Sequence, residues 1–513
     1  MATLPEPGAK AEGPARIAGT ADSRVTMELA YDDLMNCMRC GFCLPVCPTY
    51  AVTGDEYDSP RGRIALAKAT VDGELDPKDP GFERAFDLCI GCLACQEACP
   101  SGVNYNHIFE TAREMIQEHR GTGAGRRAVF RHLIPNRRRM GALTSLVRFY
   151  EGSGLRGVVR GLGLTRLAGS FGASEEMLPH FRRPELIALK EGSVLGPDPR
   201  AQGRAPGNGS LRPALRGNAR ALAKTGRTGV SIQVVPPGPV DPGTDSLPTS
   251  ARTIRVAMLL GCVTQSVFSD VNAKTAALLR RAGCEVVLPT GQTCCGALHA
   301  HNGDLAGARE LARQNLLAME KVHPDFLVMN AGGCGAQIFE YPELLREEPE
   351  MEARARDLLA RTMDVSEFLL ELDTLTFGPI PARVTYQDSC HLRNVMGVSD
   401  APRTLIQKIP GVEYVEMHEA AKCCGSGGIY NVTEHAFSLE VLGQKMANTD
   451  RTGADIIVTA NPGCQIQMQF GVSRSENPLR RVVHLVDLLW ESVESADRRE
   501  MSDAASASRG AGG

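Results

Sequence analysis

The sequence predicts an α+β multi-domain chain: a small, mainly helical cysteine-rich module followed by a duplicated α/β unit that also carries cysteines. Two observations predict it. One cysteine run occurs twice near the start, as Cys37-x2-Cys40-x2-Cys43-x3-Cys47-Pro48 and Cys89-x2-Cys92-x2-Cys95-x3-Cys99-Pro100. Further on, Cys262, Cys294, Cys295 and Cys334 recur as Cys390, Cys423, Cys424 and Cys464, at offsets of 128, 129 and 130 residues. Near-constant offsets of this kind mark a duplication rather than chance.

The paired runs have a specific chemical meaning. At this spacing three thiolates on a tight loop hold three irons of a [4Fe–4S] cube, and the fourth cysteine, followed by proline, reaches across to the other cube, as in two-cluster bacterial-type ferredoxins. Cys37, Cys40, Cys43 and Cys99 are expected on one cluster, and Cys89, Cys92, Cys95 and Cys47 on the second. The fourth cysteine of each run is expected to open a short helix. A single CxxC reads equally as zinc or a redox dithiol, whereas two complete runs point to iron–sulfur. Gly41 and Gly91 lie inside the loops, where tight turns favour glycine. Between the runs, Ser59-Pro60 is an N-cap followed by proline at the first helical position, opening a helix from Arg61 to Lys68. Residues 26–120 are thus expected to form the two-cluster ferredoxin-like domain, after a disordered, Ala/Pro/Gly-rich stretch over 1–25.

Composition bounds the rest. The 513 residues have room for roughly two or three domains, and 43% hydrophobic content is that of an ordinary globular protein. No run of apolar residues is long enough to span a membrane, so any membrane contact is expected to be peripheral. Seventeen cysteines grouped at metal spacing, in a large chain with no signal peptide, point to a reducing cytoplasm. One Trp and 5% aromatics argue against a nucleic-acid stacking platform. Residues 121–250 hold 20 Lys/Arg against 8 Asp/Glu. They are expected to be a basic helical segment over 126–190, then a Pro/Gly-rich linker from about 195. The charges are diffuse, which favours a solvated or partner-docking segment over a nucleic-acid site. Gly123-Ala124-Gly125-Arg126-Arg127-Ala128 fits G-x-G-x-x-A, but it follows a helical segment and lacks the acidic residue further on, so no dinucleotide site is assigned.

The duplicated unit is expected over 251–378 and 379–492, with a disordered C-terminus over 493–513. Each copy opens with an apolar strand that delivers a cysteine, at 253–260 and 382–386. Each continues through a helical segment and a strand to a twin-cysteine loop, Cys294-Cys295-Gly296 or Cys423-Cys424-Gly425. A strand over 326–330 or 456–460 then precedes the lone Cys334 or Cys464. Strands alternating with helices give a mainly parallel sheet, and groups on loops beyond strand C-termini are where open α/β sheets place ligands.

Four thiolates per copy satisfy one further [4Fe–4S] cluster; zinc or inert buried thiols are the alternatives. The tail Gly425-Ser426-Gly427-Gly428 is suited to aiming N–H groups at sulfide. Cys284 falls outside the pattern and reads as a core residue. His299, His301 and His391 lie close in sequence to candidate ligands, more in keeping with neighbours than with ligands. Asp388 reads as a proton gate or a cap of the next helix. Arg61 and Arg63 are placed to raise a cluster potential or to form helix-end ion pairs.

These residues carry a resemblance. The repeat resembles the cysteine-rich CCG domain of heterodisulfide reductases and of several respiratory 2-hydroxyacid and glycerol-3-phosphate dehydrogenases. With the ferredoxin module in front, including Gly54-Asp55-Glu56-Tyr57-Asp58-Ser59-Pro60-Arg61-Gly62-Arg63, the chain resembles the iron–sulfur subunits of bacterial glycolate oxidases over roughly residues 30–115 and 255–490. The CCG motif often ends in CxxC; here Gln337 and Gln467 stand at the final position, which disfavours the disulfide-cleaving clusters of heterodisulfide reductases. The resemblance implies an electron-transfer subunit with no catalytic residue of its own. A flavin-containing partner would oxidise glycolate to glyoxylate, since removing hydride needs a flavin or nicotinamide, and electrons would pass on to a quinone or other acceptor. Lactate or glycerol-3-phosphate dehydrogenase, a disulfide reductase, and a metal-stabilised scaffold are the alternatives.

Overall fold

Short helices, without strands, fix the cysteine loops of the N-terminal module. The computed structural model describes residues 31–162 except 122, Glu175, Leu186, 189–201 and 253–510. The expected disordered N-terminus and nearly all of the Pro/Gly-rich linker lie outside these residues. Helix α1 (Pro48–Thr53) starts directly after Cys47. Helix α2 (Pro60–Val71) is capped by Ser59, whose side chain accepts from the Gly62 N–H. Helix α3 (Tyr105–Arg120) is capped by Asn104. Cys99 departs from expectation: the chain turns after Pro100 and helix resumes only at Tyr105, because the Asn104 side chain sets that start. Phe82, Phe86, Ile108, Phe109 and Ile116 pack into one small core.

The basic segment continues as helix from Ala124 to Leu133 and again as α4 (Arg137–Gly152). It is not a free tether. Phe130 and Ile134 are buried in the outer core of the first repeat, with Ala257, Leu259, Leu327 and Met329.

Each repeat is a doubly wound parallel sheet. In the first, β2 (Arg255–Met258), β3 (Glu285–Val287), β4 (Phe326–Met329) and β5 (Thr362–Asp364) lie in the order β3-β2-β4-β5. In the second, β6 (Ala382–Tyr386), β7 (Val412–Tyr414), β8 (Ile456–Thr459) and β9 (Arg481–His484) lie in the equivalent order β7-β6-β8-β9. The first sheet gains an antiparallel edge strand, β1 (Val194–Leu195), with Val194 opposite Val287 and Leu195 opposite Val286. These two residues fall at the expected linker boundary, so the sheet reaches outside the 251–378 range. Central strands are buried on both faces, as parallel strands covered by helices must be.

The helices that position the site are α5 (Ser269–Arg281), α6 (Leu305–Glu320), α7 (Gly332–Leu344), α8 (Cys390–Asn394), α9 (His435–Asp450), α10 (Pro462–Ser473) and α11 (Leu485–Gly510). Helix α11 corrects the expected disordered C-terminus. Its first half buries Leu488, Leu489 and Val493, and the Ala-rich continuation extends an already anchored helix. Both sheets share one core: Val256, Met258 and Val286 meet Val384, Tyr386 and Val458 together with Leu485 and Leu489. Cys284 is fully buried in it, and burial pushes its thiol up to about 12.

Gly378 locks α11 in place. Its N–H donates to the Ser492 carbonyl (2.9 Å) and its own carbonyl accepts from Ser492 Oγ (2.7 Å). A Cβ there would lie 2.2 Å from the Ala496 nitrogen. Gly378→Ala is expected to cost about 2 kcal/mol through overpacking, read as a lower urea midpoint; an unchanged midpoint would mean that the helix shifts freely.

Candidate metal centres

The first cysteine run wraps a cleft of about 420 Å³, counted to its open mouth. Its lining includes Cys37, Cys40, Cys43 and Cys99, together with Cys95, Ile64 and Tyr105. The four cysteines of the first expected set thus line one cleft, which Cys95 of the other set also reaches. The loop needs a left-handed residue at Gly41 (φ 89°), and a Cβ there would approach Arg61 Nη1 to 3.1 Å. Arg61 leans over this loop, donating to the Arg39 carbonyl while paired with Glu56.

The second run is buried except at Cys99. Cys95 has Cys92, Cys89 and Cys47 as neighbouring thiols, and Cys43 beyond them, so it stands between the two sets. Burial, then neighbouring thiols, pushes the Cys92 and Cys95 thiols well up. Such thiols ionise only if a cation arrives, which is how metal binding displaces protons. One cation is built in. Arg63 is fully buried, donating to the Ala85 carbonyl (2.6 Å) and Thr49 Oγ1 (3.2 Å). Burial works against its charge, but Cys89, Tyr105, Cys47 and Asp58 more than offset that, and a guanidinium keeps its proton.

In each repeat the four cysteines join from three segments beyond the C-terminal edge of the sheet, with Cys334, Cys390 and Cys464 in the first turns of α7, α8 and α10. Cys262 Sγ lies 3.5 Å from Cys294 Sγ, and contact continues from Cys294 to Cys295 and on to Cys334. In the second copy it runs from Cys390 through Cys423 and Cys424 to Cys464. Hydrogen bonds between successive thiols, then burial, keep Cys262, Cys295, Cys390, Cys423 and Cys424 well above the usual thiol range. Gly425 (φ 88°) must be glycine, since a Cβ would sit 2.7 Å from the Ser438 carbonyl oxygen. Its N–H donates to Cys423 Sγ (3.4 Å), and Asn461 Nδ2 donates to Cys464 Sγ (3.6 Å).

Donor sets of four thiols, buried except for the half-buried Cys334, fit a cube, and the polar groups around them fit an absent negative partner. Arg137 is paired with Glu191 and electrostatically coupled to Cys262 and Cys294, yet its Nε and Nη2 are buried with no acceptor. Gln337, one helical turn from Cys334, has both amide atoms buried and unpartnered. Gln467, its counterpart, is satisfied by Asn431 and Ser438. In the second copy the cation is Lys445, which donates to the Glu419 and Ala420 carbonyls; burial lowers it, while Cys424 and Cys423 oppose that shift. Nothing in the sequence marks Arg137 or Lys445: one sits in a run of arginines, the other reads as a surface lysine.

The histidines divide. His299 Nε2 is 2.8 Å from the Phe130 carbonyl and serves the core. His301 faces Glu110, while His391 Nδ1 lies 3.5 Å from Cys390 Sγ. Asp388 neither caps nor opens to solvent: its buried carboxylate is held by Arg403 and Arg393.

The sites adjoin. Cys92, Cys390 and Cys423 share a buried cluster with Ile90 and Tyr430, and Asn394 Nδ2 donates to the Cys92 carbonyl (2.8 Å). The two repeats meet where the Gly333 N–H donates to Asn461 Oδ1 (3.0 Å) and the Gly332 N–H to the Ala460 carbonyl (3.1 Å).

Residues 33–103 match the 4Fe-4S dicluster domain, 256–339 and 384–469 each match the cysteine-rich domain, and 121–178 match the linker region of the glycolate oxidase iron-sulfur subunit. The probable glycolate oxidase iron-sulfur subunit of Bacillus subtilis (strain 168) is 41% identical over 470 residues, 90% of this chain and 94% of that one. Lactate utilization protein A of Oceanobacillus iheyensis is 32% identical over 46% of this chain and 96% of its own length; its namesake in Geobacillus kaustophilus is 32% identical over 46% and 98%. Iron–sulfur clusters are therefore the cofactors of this chain.

Arg63→Met should lower the midpoint potential of the cluster beside Cys89 and Cys47 and cost about 3 kcal/mol, because buried partners lose their cation. Arg63→Lys should restore the potential better than the stability. A redox titration followed by EPR checks the first effect; a potential unmoved in Arg63→Met would show that the charge is not felt.

Proposed function

The chain belongs to the family of glycolate oxidase iron–sulfur subunits, and from that premise we propose that it passes electrons from a flavin-bearing partner that oxidises glycolate to glyoxylate toward a quinone or other acceptor. Iron–sulfur cubes supply reversible one-electron transfer, which divides a two-electron oxidation into single steps. The residues that would hold them are Cys37, Cys40, Cys43 and Cys99; Cys89, Cys92, Cys95 and Cys47; Cys390, Cys423, Cys424 and Cys464; and Cys262, Cys294, Cys295 and Cys334.

The observation that carries the proposal is contiguity. The second set abuts the Cys390 set through Cys92 and Asn394, and that set meets the first repeat through Asn461. The first set opens to the surface at Cys40. The chain's own residues bury the intermediate sets, exclude water from them and supply a cation at each. With Gln337 and Gln467 at the final motif position, neither repeat has a fifth thiol there for disulfide cleavage. Among the described residues no helix is long and apolar enough to cross a membrane, so contact with a membrane quinone would be peripheral.

The similarity to lactate utilization proteins supports a second reading, in which the partner's substrate is lactate. Relative kcat/KM for glycolate and lactate in the reconstituted complex decides between them.

Anaerobically purified chain should contain about sixteen irons, four per cluster, with coupled EPR signals after dithionite reduction. About eight irons would confine redox work to the N-terminal module and make the repeats docking or thiol domains; zinc in their place would overturn the electron-transfer reading. Cys92→Ser should remove one cluster and abolish glycolate-dependent reduction of quinone, and unchanged iron and turnover would refute its assignment.

A further inference from the structure

A buried acid–imidazole pair links solvent to the second repeat. Glu110, on α3 and 7% exposed, places Oε1 3.1 Å from His301 Nδ1. His301 is held by Arg113, whose Nη1 donates to its carbonyl (2.8 Å). The His301 ring lies 5.1 Å, centroid to centroid, from that of His391. His391 in turn touches Cys390 Sγ through Nδ1, and its Nε2 is buried with no protein partner. On the opposite side Glu110 lines a cleft of about 480 Å³, counted to its open mouth. A row of three side chains therefore runs from solvent to the edge of the Cys390 set.

The charge state of the pair suits proton exchange. Burial raises Glu110 to about 7, with His107 and Asn106 only partly opposing it. Burial, then Arg113, lowers His301 to about 4. At neutral pH the imidazole is neutral and the carboxyl is poised between its two forms, so the contact is a shared proton rather than an ion pair. The groups facing Glu110 come from four sides. His107, Asn106 and Arg113 lie on its own helix, Arg309 on α6, Glu340 and Glu343 on α7, and Arg346 and Glu347 just beyond. Arg346 is engaged by Glu343 and His107, and His107 by Asp33. Among the described residues no full counter-ion reaches the Glu110 carboxylate, so added negative charge nearby is met by protonation.

We propose that Glu110 and His301 form a proton-loading site for the Cys390 centre: the carboxyl takes one proton from the cleft as one electron arrives at that centre and returns it when the electron leaves. Only a solvent proton and the electron already in transit are needed, and no bond to carbon, sulfur or iron changes. Glu110 is a positioning residue here, acting on the centre through charge. The proposal rests on reading the Cys390 set as a cluster site.

The test is a redox titration of the full chain, followed by EPR, over about pH 6 to 9, around the ordinary histidine range. In the native chain the potential of this centre should fall by about 59 mV per tenfold drop in proton concentration above the Glu110 midpoint. In Glu110→Gln that dependence should vanish with iron content unchanged. Reduced-minus-oxidised infrared spectra should show a protonated-carboxyl band in the native chain that Glu110→Gln lacks. If Glu110→Gln fails to load iron, Glu110→Asp replaces it, with a shifted band expected. A flat native profile, or a slope or band that persists in Glu110→Gln, overturns the proposal alone. If Cys390→Ser removes neither iron nor a signal, the cluster reading itself fails, and the proposal with it.

Discussion

Burying a thiolate is costly unless something positive lies beside it, and this chain buries most of its sixteen patterned cysteines. All of them except Cys37, Cys40, Cys43, Cys99 and Cys334 are buried. Much of the architecture answers that one constraint. Arg63 is held inside the N-terminal module by Thr49 and the Ala85 carbonyl. Arg137 comes to the first repeat from the segment preceding it, and Lys445 comes to the second from its own α9. The backbone contributes as well, through the Gly425 N–H on Cys423. Iron supplies the rest of the positive charge when the sites are loaded.

The cysteine pattern was readable because metal ligation fixes spacing within a loop, and a loop is local. The strands at 255–258, 326–329, 382–386 and 456–459 were readable because short apolar runs end at those cysteines. What the sequence hid was long-range. Val194 and Leu195 become a strand only because β3 offers an edge. The segment after Trp490 becomes helix because its first turns are anchored against the other repeat. The pairing of Glu110 with His301 joins residues 191 positions apart, and no local pattern signals it. His299 and His301 look alike in sequence, yet one serves the core and the other faces an acid.

The two repeats share a sheet order but have diverged around their thiols. Gln467 is tied to Asn431 and Ser438, whereas Gln337 has no protein partner. His391 touches Cys390, whereas the position after Cys262 is Val263, which carries no titratable group. Such differences give equivalent cysteine sets unequal surroundings, and surroundings tune a cluster's potential. A duplicated unit can in this way yield two unlike redox centres from one ligand pattern.

The shared core also has a consequence for how the molecule is made. Helix α11 follows the last strand of the second sheet, yet Lys274 and Arg281 of the first repeat pair with its Asp487 and Asp497. The inner face of the first repeat is therefore closed only once α11 is in place. The thiols of the first repeat lie on its other face, with Phe130 and Ile134, so its two faces are completed by segments from opposite sides of the repeat in sequence.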